Sequence, residues 1–393
     1  MEKTKYIPKI RFKGYKDEWE KKELGELAEI NMGQSPNGNS YSLRPIKNGY
    51  ILIQGNADLK NRQVTPRVWT SEITKMAEAN DIIMSVRAPA GIVGKTKYRA
   101  VIGRGVAAIK GNEFLYHLLI KMEKTYWQSI STGSTFESID KKTISNAIIT
   151  YPSAEEQKQI GSLFKNLDEK LEIEREKHEK LVNFKKAMLE NVFPKEGEKR
   201  PKIRFGGYND DWKGLKIKDI GIIKTGKTPP TADRINYTDR GILFITPTDI
   251  KNNVTKNTER KLSELGSLKS TVVEPGSILI TCIASIGKNT LIEDFSAFNQ
   301  QINSITPYNC DSYFVYTLSY HWSNYMSKIA ATGTMQIINK NDFSEIETFI
   351  PSINEQKLIG SFFKNLDEKI QVSEEMIIKI ENYKRAMMEA IFV

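Results

Sequence analysis

The sequence predicts a mixed α/β fold built twice in tandem. It consists of two α/β regions, each followed by a long helix, with the helices paired antiparallel as a coiled coil about an approximate two-fold axis. Residues 151–193 and 350–392 align at a constant offset without a gap, and residues 8–19 (PKIRFKGYKDEW) recur as 201–212 (PKIRFGGYNDDW). Between these repeats, short apolar strands alternate with helical patterns.

Each copy of the longer repeat begins with the residues that start a helix. Pro152 and Ser153 are followed by Glu156, and the second copy keeps this spacing at 351–355. This pattern predicts a capping box, in which the serine hydroxyl and the glutamate satisfy free backbone N–H groups.

Apolar residues then recur at steps of three and four, which is typical of a coiled coil. We predict that the helices pair through Ile160, Phe164, Leu167, Leu171, Ile359, Phe363, Leu366 and Ile370. Because the first helix delivers the chain to the second region, paired helices must run antiparallel. The alternative is that each is a long core helix of its own domain.

The repeats place the domain boundaries. The expected segments are a first α/β region at 1–152, a helix at 153–193, a charged linker at 194–200, a second α/β region at 201–351 and a helix at 352–393.

The two α/β regions have diverged in sequence, yet their patterns correspond. We expect paired Gly/Pro loops (33–36, 226–229), strands (50–54, 242–246; 81–86, 277–282; 105–109, 301–305), Gly-Lys turns (94–95, 287–288), aromatic helices (113–130, 311–329) and Thr-Gly turns (132–134, 332–334). Matching ends with differing middles are what a two-headed recognition protein needs.

Composition limits the class of protein. Lys and Arg number 58 against 48 acidic residues, a net charge of +10 that suggests a polyanionic partner. Cys282 and Cys310 form neither a disulfide framework nor a metal cluster, which is typical of a reducing cytoplasm. The N-terminal residues resemble no signal peptide, and no stretch reaches the ~18 apolar residues of a membrane span. We therefore expect a cytoplasmic protein without membrane contact.

One motif suggests a nucleotide site. Residues 221–228 (GIIKTGKT) fit the phosphate-binding P-loop pattern. However, Pro229 and Pro230 follow at once and oppose the helix that a P-loop requires, and residues 28–35 of the first region lack the motif. A strand-to-loop turn is the better interpretation. The sequence contains no Rossmann glycine pattern and no nucleophile elbow, so it predicts binding and not catalysis, with no catalytic residue or metal site.

Polar and basic loops are the candidates for nucleic-acid binding, since Arg and Lys suit guanine and phosphate while Asn and Gln suit adenine. The alternative is an ordinary hydrophilic surface. The candidates are Gln54, Asn56, Lys60, Arg62, Arg87, Lys95 and Arg104 in the first region, and Thr246, Thr248, Lys251, Asn252, Lys288, Asn289, Gln300 and Gln301 in the second.

The duplicated Pro-Ser-x-x-Glu-Gln…Leu-Asp-Glu-Lys sequence at 152–170 and 351–369, with the R-F-x-G-Y…W repeat, closely resembles specificity (S) subunits of type I restriction-modification systems. The resemblance covers essentially the whole chain. It implies two target-recognition domains, each reading half of a split double-stranded DNA sequence, and helices that dock two modification (adenine methyltransferase) subunits. Restriction/translocase subunits would join the full complex. The chain itself would be non-catalytic and without a cofactor, because S-adenosylmethionine, ATP and Mg²⁺ would belong to the partner subunits.

Two other classes remain open. A stand-alone bipartite DNA-binding regulator predicts tight specific binding without partners. A coiled-coil structural protein predicts self-association and no specific DNA binding, but it gives no reason for divergence confined to the middles of the two regions.

Overall fold

The computed structural model describes residues 6–132, 138–195, 197–331 and 337–393, which form two compact units. The first unit holds residues up to Glu174 together with Met376–Val393, and the second holds Arg175–Glu375. The division therefore falls in the middle of both long helices. Apart from Thr132, the Thr-Gly turns predicted at 132–134 and 332–334 lie outside the described residues.

The first unit contains thirteen strands among its described residues. They are β1 (Glu20–Glu23), β2 (Ile30–Met32), β3 (Tyr41–Ser42), β4 (Tyr50–Ile53), β5 (Leu59–Lys60), β6 (Gln63–Val64), β7 (Trp69–Thr70), β8 (Met76–Ala77), β9 (Ile82–Ser85), β10 (Val93–Lys95), β11 (Ala100–Ile102), β12 (Val106–Ile109) and β13 (Ile148–Tyr151). β1 pairs with β13, and the others form sheets in the orders β2-β12-β9-β10-β6-β5 and β3-β7-β4-β11-β8. Its helices are α1 (Leu24–Leu27), α2 (Glu113–Met122), α3 (Gln128–Thr132), α4 (Lys141–Ser145) and the first part of α5 (Ala154–Asn191).

The second unit repeats this plan with fewer strands. They are β14 (Lys213–Lys216), β15 (Gly221–Thr225), β16 (Tyr237–Ile245), β17 (Arg260–Leu262), β18 (Thr271–Val273), β19 (Ile278–Thr281), β20 (Asn289–Leu291), β21 (Ser296–Phe298), β22 (Ile302–Pro307) and β23 (Glu347–Ile350). β14 pairs with β23, and the sheets are β15-β22-β19-β20 and β17-β16-β21-β18. The helices are α6 (Glu264–Leu268), α7 (Ser312–Ala331), α8 (Lys340–Ser344) and α9 (Ile353–Ile391), of which α9 ends in the first unit.

The mixed α/β class is confirmed, and the three predicted strand pairs are present as β4 with β16, β9 with β19 and β12 with β22. The order β2-β12-β9-β10 corresponds to β15-β22-β19-β20, and β7-β4-β11-β8 corresponds to β17-β16-β21-β18. In both units the pair at the centre of the second sheet, β4 with β11 or β16 with β21, is parallel. β3 corresponds to the start of β16, because Tyr41 and Tyr50 both pair with Thr70 as Tyr237 and Ile242 both pair with Leu262. The first unit adds the edge hairpin of β5 and β6.

One predicted correspondence is wrong. Gly287 matches Gly91 and not Gly94: both have positive φ (89° and 83°), and their N–H groups donate to Thr281 and Ser85 carbonyls at 2.9 and 2.7 Å. Such φ values favour glycine. Gly94 instead lies inside β10, so Lys288 is the counterpart of Ile92 and not of Lys95.

Each core is closed by the end of the long helix that begins in the other α/β region. In the first unit, the Phe392 ring of α9 lies 5.4 Å from Phe114 and 5.4 Å from Phe164. In the second unit, the Phe193 ring just after α5 lies 5.8 Å from Phe314 and 6.0 Å from Phe363. These aromatic contacts explain why the compact units divide both helices.

The two helices run antiparallel where they meet. Within the first unit, Phe164 stacks on Phe392 while Asp168, one turn later on α5, contacts Lys384, which is earlier on α9. As residue numbers rise on one helix they fall on the other, as predicted from chain order.

The expected partners of the pairing residues need correction. Ile160 and Phe164 are buried in a core with Ile391 and Phe392. In the second unit, Ile359 and Phe363 are buried with Val192 and Phe193, and Leu366 is buried as well. An antiparallel pair sets the start of one helix beside the end of the other. Leu167 likewise packs on the first core, as do Met387 and Met388 of α9.

The capping prediction is half correct. The Ser153 hydroxyl accepts from the Glu156 N–H at 3.4 Å. The Glu156 carboxylate, however, accepts two hydrogen bonds from Arg11 at 2.7 and 2.8 Å, and Arg204 gives the same two distances to Glu355. A bidentate guanidinium is a stronger partner than a backbone N–H. In each half, the glutamate of the Pro-Ser-x-x-Glu motif thus binds the arginine of the R-F-x-G-Y motif.

Candidate nucleic-acid interface

A surface concavity of about 530 Å³ lies on the first α/β region. It forms where the Gly/Pro loop, the chain after β4, the turn after β9 and the β11–β12 loop meet. Its lining residues are Ser35, Pro36, Gly38, Tyr41, Gln54, Arg87, Arg104 and Gly105. Three of the predicted DNA-binding residues, Gln54, Arg87 and Arg104, are therefore brought to one place.

Close backbone packing builds this concavity. The Gly33 N–H donates to the Val106 carbonyl at 3.0 Å, and a Cβ on Gly33 would lie 2.1 Å from the Gly103 oxygen. A Cβ on Gly105 would lie 2.0 Å from the Gln54 oxygen. Real Cβ atoms do not approach that closely, so these glycines allow the loops to meet and hold Arg104 beside Gln54.

The arginines on the concavity are exposed and uncommitted. Across the part of the chain that the structure describes, neither the Arg87 nor the Arg104 guanidinium has a hydrogen-bonding or ion-pairing side chain. The Arg104 backbone N–H is fixed, since it donates to the Ser35 hydroxyl at 3.2 Å. A fixed backbone that carries a free guanidinium suits a polyanionic ligand with hydrogen-bond acceptors.

Two other predicted cations of this region are used inside the protein. Arg62 donates to both carboxylate oxygens of Glu123 at 2.5 and 2.9 Å and to the Val93 carbonyl at 2.9 Å. Lys95 pairs with Glu113 at 2.6 Å. Both contacts tie the sheet to the aromatic helix, so the prediction that these charges face a ligand is corrected. Asn56 is half-buried and Lys60 exposed, and neither lines the concavity.

The second region builds the equivalent surface with the same backbone contacts. The Gly226 N–H donates to the Ile302 carbonyl at 3.1 Å, and a Cβ on Gly226 would lie 2.0 Å from the Asn299 oxygen. The Tyr237 hydroxyl donates to the Pro229 carbonyl at 3.1 Å, as Tyr41 does to Pro36 at 3.1 Å.

These contacts also explain the motif that resembles a P-loop. β15 ends at Thr225, and residues 226–230 form no helix. Gly226 is therefore required by a strand-to-loop turn, as the two prolines after it indicate.

The side chains at the equivalent positions differ in chemistry. Gln300 replaces Arg104, Thr246 replaces Gln54 and Thr228 replaces Ser35. The Gln300 Oε1 accepts from the Thr228 hydroxyl at 2.5 Å, and the Thr246 hydroxyl donates to Asp249 at 2.6 Å.

The position of Arg87 is taken by an apolar residue. Half-buried Ile283 pairs by backbone with Ile337 as Arg87 does with Ser138. The second surface thus presents amide, hydroxyl and apolar groups at the positions where the first presents guanidinium groups.

Some of the remaining candidates of the second region are exposed to a ligand, and others are hydrogen-bonded within the protein. Thr248, Lys251, Asn252 and Lys288 are exposed, and the Lys288 ammonium donates to the Pro247 carbonyl at 3.4 Å. Asn289 is buried and donates to the Ser319 hydroxyl at 2.7 Å, so its assignment to DNA contact is corrected. The Gln301 Oε1 accepts from Asn299 at 3.0 Å, which stabilises the loop that carries Gln300.

Sequence reasoning did not name Ser35, Tyr41, Thr228 and Tyr237 as site residues. The Gly-x-Ser/Thr-Pro loop in both halves is a usable signal for the first and third of these. The tyrosine correspondence is visible only from the hydrogen bonds to Pro36 and Pro229.

Within the described ranges, no three His, Cys, Asp or Glu side chains converge as a metal-binding group. No helix among those residues is both long enough and apolar enough to cross a membrane.

The family model for the type I restriction modification DNA specificity domain matches twice, at residues 16–183 and 209–382. The chain belongs to the type I restriction-modification specificity family. Each match spans one α/β region and most of the long helix after it. Both copies of the duplication therefore match the family model.

Relatives in the specificity family are diverged. The putative type I restriction enzyme MjaX specificity subunit of Methanocaldococcus jannaschii is 34% identical over 183 residues, which are 44% of this chain and 42% of that protein. The HindI specificity subunit of Haemophilus influenzae is 25% identical over 336 residues, 66% of this chain and 73% of that one. The first alignment thus spans less than half of that relative's length.

Two solved structures share the fold of the specificity family. The S subunit from M. genitalium matches with a TM-score of 0.69 at 14% identity, covering 98% of this chain and 99% of that one. A chain from a structural study of assembly and conformational transition in a type I R-M system matches with a TM-score of 0.51 at 16% identity, covering 94% and 96%.

Proposed function

We propose that this chain is the non-catalytic specificity subunit of a type I restriction-modification complex and that it reads a bipartite double-stranded DNA target, one half with each α/β region. One observation carries the proposal. The same backbone contacts build a loop surface on each region, while the exposed side chains differ, with Arg104 on one and Gln300 on the other. Surfaces that share a scaffold but not their chemistry suit two different half-sites.

The chemistry of both surfaces fits base edges. Guanidinium, amide and hydroxyl groups are those that read the major groove. The net charge of +10 favours association with the phosphate backbone. The proposed site of action is DNA in the cytoplasm.

The long helices are the proposed docking surface for two modification subunits. Large apolar residues are exposed at equivalent positions of the two copies, Ile173 with Val372 and Phe184 with Tyr383. Each copy of the helix thus offers a partner the same pair of exposed apolar side chains. Their duplication suits two copies of one partner. S-adenosylmethionine, ATP and Mg²⁺ would be held by those partners and by restriction/translocase subunits, with none held by this chain.

The test is methylation mapping of DNA from cells that express this chain with its modification subunit. We expect an interrupted motif, and exchange of residues 20–150 for those of another family member should change only one half of it. The chain without the modification subunit should neither methylate nor cleave DNA. A single uninterrupted motif, or specific high-affinity binding by the chain alone with no effect of the partner, would contradict the proposal and favour a stand-alone regulator.

A further inference from the structure

We infer that the first α/β region reads at least one G·C pair through Arg104 and Arg87, whereas the second reads an A·T pair through Gln300 at the equivalent position. This inference rests on the proposed bipartite function and deepens it by assigning the base composition of each half-site. It starts from the contrast between the two loop surfaces.

The backbone on both sides of Arg104 is fixed, while its side chain is free to contact a base. Its loop is fixed on both sides, because the Gly103 N–H donates to the Ile53 carbonyl at 2.8 Å and the Gly105 carbonyl accepts from the Val86 N–H at 2.9 Å. The guanidinium itself is exposed and has no hydrogen-bonding partner within the described part of the chain. Because the backbone is already fixed, binding has to order the side chain of Arg104 but not its loop.

Guanine is the base that matches this group. Its major-groove edge offers two acceptors, O6 and N7, and a guanidinium offers two parallel N–H donors. Arg87 lines the same concavity, and Gln54 stands beside it as an amide. Arg62 and Lys95 are committed to Glu123 and Glu113, whereas two uncommitted guanidinium groups line the concavity.

The second region has lost both guanidinium groups at the matching positions. The Thr228 hydroxyl donates to the Gln300 Oε1, which leaves the Nε2 donors and one lone pair of Oε1 available. Adenine presents one acceptor, N7, and one donor, N6–H, and a side-chain amide can pair with both. Lys288 of the same region is a single ammonium that contacts the Pro247 carbonyl, which suits a phosphate contact.

The experiment exchanges the two reading residues in the complete complex. Arg104→Gln and Gln300→Arg are each expressed with the modification subunit, and methylated sites are mapped. We expect Arg104→Gln to relax one G·C pair of one half-site, lowering discrimination there about 10- to 100-fold. The other half-site and the gap should stay unchanged. Gln300→Arg should alter an A·T pair of the opposite half-site.

Arg99→Gln is the matched control, since it removes an exposed arginine of the same region that pairs with Glu78 at 3.1 Å. It should leave the motif unchanged. Because Arg104 and Gln300 are exposed, thermal melting of each variant should match the parent chain.

Two results distinguish failure of this inference from failure of the proposed function. If the motif is interrupted but Arg104→Gln and Arg87→Gln lower methylation equally at all sites, these arginines contact phosphate and the inference is overturned while the bipartite function stands. If the motif of the parent chain is uninterrupted, the proposed function fails, and the inference fails with it.

Discussion

At the scale of single residues, the aspartate of the repeated Leu-Asp-Glu-Lys sequence has a role that its motif does not reveal. Asp168 lies 2.9 Å from the His117 Nε2 of the aromatic helix and contacts Lys384 near the end of α9. One carboxylate therefore joins an α/β region to both long helices.

The second unit repeats this junction with a different donor. Asp367 accepts from the Tyr313 hydroxyl at 2.8 Å and pairs with Lys185 at 2.6 Å. The lysine is equivalent in the two copies of the repeat, whereas the donor on the aromatic helix changes from imidazole to phenol. The junction is thus maintained although the regions around it have diverged.

The first prediction concerns Asp168→Asn. Burial by itself raises the pKa of Asp168, but the hydrogen bond from His117 and the charge of Lys384 outweigh it, so the pKa lies below the usual 3.8. A lowered pKa stabilises the fold above the unfolded-state pKa, and this stabilisation is lost as pH falls through the folded-state pKa. Asp168→Asn should lower the free energy of unfolding by about 1–3 kcal/mol at pH 7, with the difference shrinking below about pH 4.

Urea unfolding of the first unit at several pH values measures this effect. Glu169→Gln is the control, because Glu169 is exposed and pairs only loosely with Lys165, at 3.8 Å. A loss that stays constant down to pH 2 would show that the charge of Asp168 does not matter.

The second prediction uses the two cysteines. Burial raises the pKa of the Cys282 thiol to about 11, so at pH 8 almost none of it is thiolate. We expect Cys282 to react with a thiol reagent only when the second unit unfolds, and more slowly than half-buried Cys310. Labelling followed by peptide mass spectrometry measures both rates. Rapid labelling of Cys282 under native conditions would contradict its burial in the core of the second unit.

At the scale of elements, the long helices serve as structural parts of both cores. The first half of α5 packs on the region that precedes it, and the end of α9 completes that core with Ile391 and Phe392. Gly161 and Gly360 permit the contact at the helix starts. A Cβ on Gly161 would lie 2.8 Å from the Glu113 Cβ, and one on Gly360 would lie 3.0 Å from the Phe314 nitrogen.

The third prediction follows from that core. Phe392→Ala should lower the free energy of unfolding of the first unit by about 3–5 kcal/mol, because it removes a buried ring and leaves a cavity. Hydrogen exchange should show faster exchange in α2 with little change in α7. Ile378→Ala, at a half-exposed position of the same helix, should cost less than about 0.5 kcal/mol. Equal loss of protection in α2 and α7 would mean that the two units do not unfold separately.

At the scale of the whole molecule, duplication gives two units whose long helices each begin in one and end in the other. If the proposed function is correct, the length of these helices sets the gap between the half-sites. A change in one helix alone would shift the contacts of Asp168 and Asp367 out of register, so a test of gap length has to change both.

The fourth prediction is a matched insertion of seven helical residues after Glu174 and after Glu375. Contacts inside each unit should persist, and the added length of about 10 Å should widen the methylation gap by about 3 bp. Both half-sites should stay the same. The insertion in α5 alone is the control and should lower stability. A gap that is unchanged by the double insertion would refute the role of the helices as a spacer.

The sequence by itself determined the tandem duplication, the long helices and three strands of each α/β region. Helix periodicity, Pro-Ser helix starts and apolar runs are local properties, so residues within a few positions of one another are enough to specify them. The false nucleotide motif was also decided locally, since two prolines after Gly226 prevent a helix.

Only the tertiary structure decided which cations remain free and which helix end closes which core. Arg62 and Arg104 look alike in sequence, but Arg62 meets Glu123, 61 residues away, while Arg104 meets no acidic side chain among the described residues. Likewise, Phe392 reaches Phe164 and Phe114 from the far end of the chain. Burial and charge pairing depend on neighbours in space, and those neighbours are set by the packing of the whole unit and not by the local pattern.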